Sequence, residues 1–224
     1  MASPLHIAAL LILAATTGAG AIQGTADPSV FPLHIVRDTG AVAGTCVLVH
    51  REDRNDGSVL YFLTASRLFK TPDGESEPAP RTMHVLIDGG RRLELRREDV
   101  FVPMGNMVDI AILRATTTST TPTPRSMVFE PPPAGDGFFI SGYDGEGASL
   151  TVTERIRFES TRFVVGDRGA LALAGCLGAP AISRQGAVFG IVSECNVNSV
   201  PVISVLWVAR SFIARHVPTG RTDP

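Results

Sequence analysis

Residues 175–194 read GCLGAPAISRQGAVFGIVSE. A glycine-bracketed turn runs into Ala-Pro and a short apolar stretch. The turn SRQG follows, then a second apolar stretch closing on Gly190-Ile191-Val192-Ser193. Two such runs joined by a tight polar turn predict an antiparallel hairpin, with the glycine turn of residues 175–178 at its mouth. A similar glycine-containing stretch, GDRGAL, lies just upstream at residues 166–171. The function of the chain depends on which of the two turns forms the site and on the residue each one presents.

Outward from this hairpin the chain keeps one rhythm. FPLHIV (31–36), AGTCVLVH (43–50), SVLYFLTA (58–65), TMHVLID (82–88), RLELRR (92–97) and VDIAILRA (108–115) are short, β-branched or alternating runs separated by Gly, Asp, Asn and Pro. GFFISGY (137–143), SLTVTERIRF (149–158), RFVVG (162–166), ALALAG (170–175), APAIS, AVFGIVS and VPVIS (200–204) form a second set. The stretch TTTSTTPTPRSMVFEPPPAGDG (116–137) lies between them, and its Thr and Pro content predicts an extended connector without packed structure. VLWVARSFIARHV (205–217) alone has near-helical spacing, with Arg and His at its end, where the helix dipole favours cations. The pattern predicts an all-β chain of about six strands, a connector, about six more strands and a terminal helix.

Composition narrows the class. The 224 residues carry a formal net charge of -2 with 44% hydrophobic side chains, which suits a globular unit or two halves sharing a core. No strong field draws the chain to nucleic acid or anionic lipid. The first 26 residues contain no Asp, Glu, Lys or Arg. An apolar core at residues 5–15 followed by small residues predicts a signal peptide at 1–21, cleaved after Ala21, and a secreted or periplasmic product. An uncleaved anchor is the competing reading, since the n-region lacks Lys and Arg. The three cysteines, Cys46, Cys176 and Cys195, form no metal-binding pattern; neither metal nor cofactor is expected. The expected organisation is an N-terminal barrel at 22–115, a linker at 116–135, a C-terminal barrel with terminal helix at 136–217 and a tail at 218–224.

YFLTASRLF (61–69), NMVDIAILRA (106–115) and GCLGAPAISRQGAVFGIVSE occur in that order. Together they resemble the three motifs of the trypsin-like serine proteases: Thr-Ala-(Ala)-His, Asp-Ile-Ala and Gly-(Asp/Asn)-Ser-Gly-Gly-Pro. The spacing is similar to that of the HtrA-like branch. The resemblance covers about residues 30–216 and implies two six-stranded β-barrels with a cleft between them. In that family the nucleophile precedes the glycine of the Gly-Ile-Val-Ser strand by about a dozen positions. Leu177 precedes Gly190 by 13 positions and Arg168 by 22, so GCLGAP matches the nucleophile loop and GDRGAL reads as an ordinary turn.

Carried across, Asp109 matches the triad aspartate, the histidine position falls on Arg67 and the serine position on Leu177. The backbone of Gly175 and Leu177 matches the oxyanion hole. Leucine has no nucleophilic atom, and arginine stays protonated with no lone pair to accept a proton. The expected protein is therefore a pseudoprotease that binds an extended peptide or protein in the cleft; a monomer is expected, free of membrane once the signal is cleaved. Arg67 is expected to pair with Asp109, because a buried carboxylate without a partner is costly. The competing reading is an active serine-type or cysteine-type endopeptidase using Cys176; a third is a structural domain without a ligand. The family often bridges the loop before the nucleophile to the loop after Gly-Ile-Val-Ser. That favours a Cys176–Cys195 disulfide, with Cys46 as the alternative partner.

Overall fold

The computed structural model describes residues 27–70, 80–87, 90–104, 108–118, 123–143, 149–158, 160, 163–165, 176–194 and 201–218. The proposed signal segment, GDRGAL, ALALAG, Gly175, Cys195 and residues 219–224 of the tail lie outside them.

Two antiparallel sheets dominate. The first contains β1 (Val30–Arg37), β2 (Gly40–Arg54), β3 (Gly57–Thr64), β4 (Thr82–Ile87), β5 (Arg91–Glu94), β6 (Val100–Phe101) and β7 (Ala111–Thr117). The second contains β8 (Gly137–Tyr143), β9 (Ser149–Arg155), β10 (Arg157–Phe158), β11 (Phe163–Val165), β12 (Pro180–Ser183), β13 (Val188–Glu194) and β14 (Val202–Val205). Their orders are β5-β4-β1-β2-β3-β7-β6 and β10-β11-β14-β13-β12-β8-β9. Among the described residues each sheet has seven strands where about six were expected. The two-residue segments β6 and β10, which carry no periodic signal of their own, add to the count in each sheet.

The alternation seen in the sequence has a direct cause. In β1, Phe31, Leu33 and Ile35 are buried while Pro32, His34 and Val36 stay partly exposed, because successive side chains leave a strand on opposite faces. β3 is apolar throughout and is buried along nearly its whole length between β2 and β7. β2 is 15 residues long and changes register between Leu48 and His50, a bulge that lets one strand bend around a curled sheet.

The connector is not the unpacked segment its composition predicts. Arg125 N–H donates to Leu48 O, Met127 bridges Val188 in parallel, and Val128 N–H donates to Val188 O. Arg125 also reaches Asp27 Oδ2 at 2.6 Å, Ser29 Oγ at 3.2 Å and Gly186 O at 3.1 Å. Composition missed this because the partners come from distant segments of both sheets.

The terminal element is a 3₁₀ turn (Leu206–Ala209) leading into α1 (Arg210–His216), shorter than the helix expected over 205–217, since Val205 is still paired in β14. Leu206, Ala209, Ile213 and Val217 join the buried cluster built mainly from the first sheet. His216 stacks on Phe101 at 4.5 Å between centroids. The terminal helix thus closes back onto the first half of the chain.

Candidate functional site

β3 ends at Thr64, and Ala65 leads into a 3₁₀ turn at Ser66–Phe69. The first N–H groups of such a turn lack partners within it. Asp109, at the start of the apolar run that becomes β7, supplies one. Its Oδ1 accepts from the Arg67 backbone N–H at 2.8 Å and from Ser66 Oγ at 2.7 Å. Its Oδ2 accepts from Arg67 Nε at 2.7 Å. One carboxylate, 8% exposed, therefore caps the turn and fixes the guanidinium. The expected ion pair is present, and it pins Arg67 by both main chain and side chain.

Arg67 itself keeps 48% of its side chain exposed. Nη1 lies 3.8 Å from Glu194 Oε2, beyond hydrogen-bond distance, at the end of β13 on the other sheet. Lys70 closes the same turn and is buried; burial, then the Arg67 charge, pulls its ammonium pKa down, while Asp109 opposes the shift. Arg37 donates to Leu68 O and holds the turn from below.

The opposing wall is the turn Cys176-Leu177-Gly178-Ala179. Ala179 N–H donates to Cys176 O at 2.9 Å, and Gly178 has φ +88°, which makes it a type II turn. Gly178 is required twice over. Its conformation disfavours any side chain, and an added Cβ would lie 2.2 Å from both Thr45 O and Thr64 Oγ1 and 3.1 Å from Ala65 N. Gly178 N–H donates to Val192 O, and Leu177 O accepts from Thr45 N–H at 2.9 Å. Leu177 thus sits where the two sheets meet, partly buried against the first-sheet cluster, on the same Gly44 that Leu68 flanks.

Gly190 has a related constraint: an added Cβ would meet Ile203 Cγ2 at 2.4 Å, so the Gly-Ile-Val-Ser strand can approach β14 only with glycine there.

Of the sequence-predicted residues, Arg67, Asp109, Leu177 and Cys176 come to this junction, and Gly175 and Cys195 lie outside the described residues. Cys46 is a free thiol, fully buried, with Sγ 3.6 Å from Phe31 O, and burial pushes its pKa far up. The alternative in which Cys46 bridges another cysteine is therefore corrected: β2 holds it inside the first core. Cys176 is 2% exposed. The described histidines are engaged elsewhere: His34 stacks on His84, His50 tilts on Tyr61, and His216 lies against Phe101 and Phe212. The carboxylate of Asp109 accepts hydrogen bonds from Ser66 and Arg67 alone among the described residues.

Sequence reasoning missed Ser66, Lys70 and Glu194 as parts of the site. Ser66 and Lys70 flank Arg67 on one turn, which was a usable signal; Glu194 reaches it only through the fold. A groove lined by Val128, Phe129 and Trp207 together with Glu130, Asp136 and Arg210 lies between connector and terminal helix and includes none of the triad positions.

No family model matches the chain. No curated protein matches it either. Solved structures do resemble it. The active form of the Rv3671c protease from Mycobacterium tuberculosis aligns over 87% of this chain and 83% of its own, with 20% identity and a TM-score of 0.60. Protease Anisep from Arthrobacter nicotinovorans aligns over 88% and 98%, with 13% identity and a TM-score of 0.66. The thermostable serine protease AL20 from an extremophilic microorganism gives 86% and 98%, 13% identity and 0.64. At these identities the likeness establishes the fold: an all-β trypsin-like double barrel with a C-terminal helix.

Proposed function

We propose that this chain is a non-catalytic member of the trypsin-like structural class, exported, that binds an extended peptide or protein segment in the cleft between its sheets. The observation that carries this reading is the Arg67–Asp109 pair. The aspartate that would orient a general base instead holds a guanidinium by Nε at 2.7 Å. That group has no lone pair with which to take a proton. Leu177, on the facing turn, has no atom that could attack a carbonyl. Cys176 is a poor substitute, because the residue is 2% exposed, out of reach of a substrate, and the described histidines have other ring partners.

The test is hydrolysis of a broad fluorogenic peptide library by the chain beginning at Ile22, with Cys176→Ala beside it. No turnover by either protein is expected. Cleavage by the parent that disappears in Cys176→Ala would overturn the reading in favour of a cysteine nucleophile.

We further propose a Cys176–Cys195 bridge. Cys46 is the free thiol among the described residues, so one disulfide would complete the three cysteines. Titration of the unreduced, denatured protein should then find a single thiol, and its loss in Cys46→Ala identifies the residue.

A further inference from the structure

We infer that Arg67 is a receptor for a carboxylate of the bound peptide; the inference rests on the cleft-binding reading above and adds the chemistry of its ligand. A guanidinium offers donors on more than one edge. Asp109 takes Nε and the main-chain N–H, which fixes the plane of the group and directs its terminal Nη1/Nη2 edge away from the carboxylate. Among the described residues, the guanidinium's one ion-pair neighbour besides Asp109 is Glu194, with Nη1 3.8 Å from Oε2. The guanidinium is thus both immobilised and half-exposed, so much of the entropy of ordering a long side chain is already lost before a ligand arrives.

The facing turn carries a further donor. The Leu177 N–H has no hydrogen-bond acceptor among the described residues, although the neighbouring N–H groups of Gly178 and Ala179 are both used. The leucine side chain leaves a bound acid chemically untouched.

Among the described residues, Arg67 and Lys70 stand beside Asp109 and Glu194. An anion is therefore held by the donors it can reach and not by a net positive field. Glu194 also competes for Nη1, so it weakens the site and does not build it.

The carboxylate can be a peptide C-terminus or an Asp/Glu side chain, and the test separates them. Fluorescein-labelled randomised hexapeptide pools lacking Asp and Glu are made as free acids and as amides. A third, amidated pool carries one fixed Glu. Binding to the full chain is followed by fluorescence anisotropy. At least one carboxylate pool should bind about tenfold or more tightly than the neutral amide pool. The preference should vanish in Arg67→Gln, grow in Glu194→Gln and shrink with added salt. A preference for the free acid assigns the C-terminus; a preference for the fixed Glu assigns the side chain. Circular dichroism verifies that Arg67→Gln is folded, and the Glu194→Gln arm is independent of that variant. Equal binding of all pools, or a preference that survives Arg67→Gln, overturns the carboxylate site and leaves the peptide cleft standing. Absence of binding by every pool overturns both.

Discussion

Asp109 does more for this protein than Arg67 does, although the two form one pair. The carboxylate is nearly buried and accepts three hydrogen bonds, whereas the guanidinium is half in solvent. Asp109→Ala leaves a turn N–H without its acceptor and the buried Ser66 hydroxyl with only Val108 O at 3.4 Å, and should cost about 2–4 kcal/mol. Arg67→Ala keeps the main-chain N–H and the Ser66 bond and should cost about 1 kcal/mol or less, because an exposed ion pair is screened. Urea denaturation of both variants measures the difference, and equal losses would show that the side-chain pair alone holds the carboxylate. Gly178→Ala combines a disfavoured φ with a Cβ driven into Thr45 and Thr64. A loss above about 3 kcal/mol is expected, by the same measurement.

At the scale of elements, the connector and the terminal helix are fastenings between the two sheets. Arg125 ties the start of the first sheet, the connector and the Ser183–Gly186 turn through separate partners. Arg125→Ala should lower stability by about 1–2 kcal/mol. Limited proteolysis should then cut near residues 119–128 at least several times faster than in the parent; an unchanged pattern would show that the main-chain bonds of Leu48 and Val188 suffice. Ile213 is fully buried in the shared cluster, so Ile213→Ala should cost about 2–5 kcal/mol although it lies on a seven-residue helix. The strand runs were legible because alternation is a local property: GFFISGY became β8 residue for residue. The packing of the connector was not legible, because its partners are spread over both sheets.

The whole molecule should weaken on mild acidification. The His84 pKa is lowered by burial, then by stacked His34 and by Arg92, with Glu94 across the strand pair opposing. That of His216 is lowered by burial against Phe101 and Phe212, then by Arg215. Both are held neutral in the fold below the pH at which the unfolded chain takes up its protons. Unfolding then binds protons, so this stability is complete above the unfolded histidine pKa of about 6.5 and is lost as pH falls through it. Denaturant midpoints at pH 7.5 and 5.0 should show the drop, and His84→Gln should flatten it; a midpoint that holds or rises in acid contradicts the assignment.

What the sequence by itself determined is the strand pattern and the chemistry of Arg67 and Leu177. Period and turn residues are written locally, and no fold can give leucine a nucleophile or arginine a proton-accepting lone pair. Only the tertiary structure decided that Asp109 holds Arg67 by its main-chain N–H as well as by its side chain, that Glu194 flanks it, that Cys46 is a buried free thiol and that the last helix closes on the first sheet. Each depends on residues far apart in the chain, 42 positions for the Arg67 N–H and Asp109, and the detail of contacts at that separation leaves no mark in a local pattern.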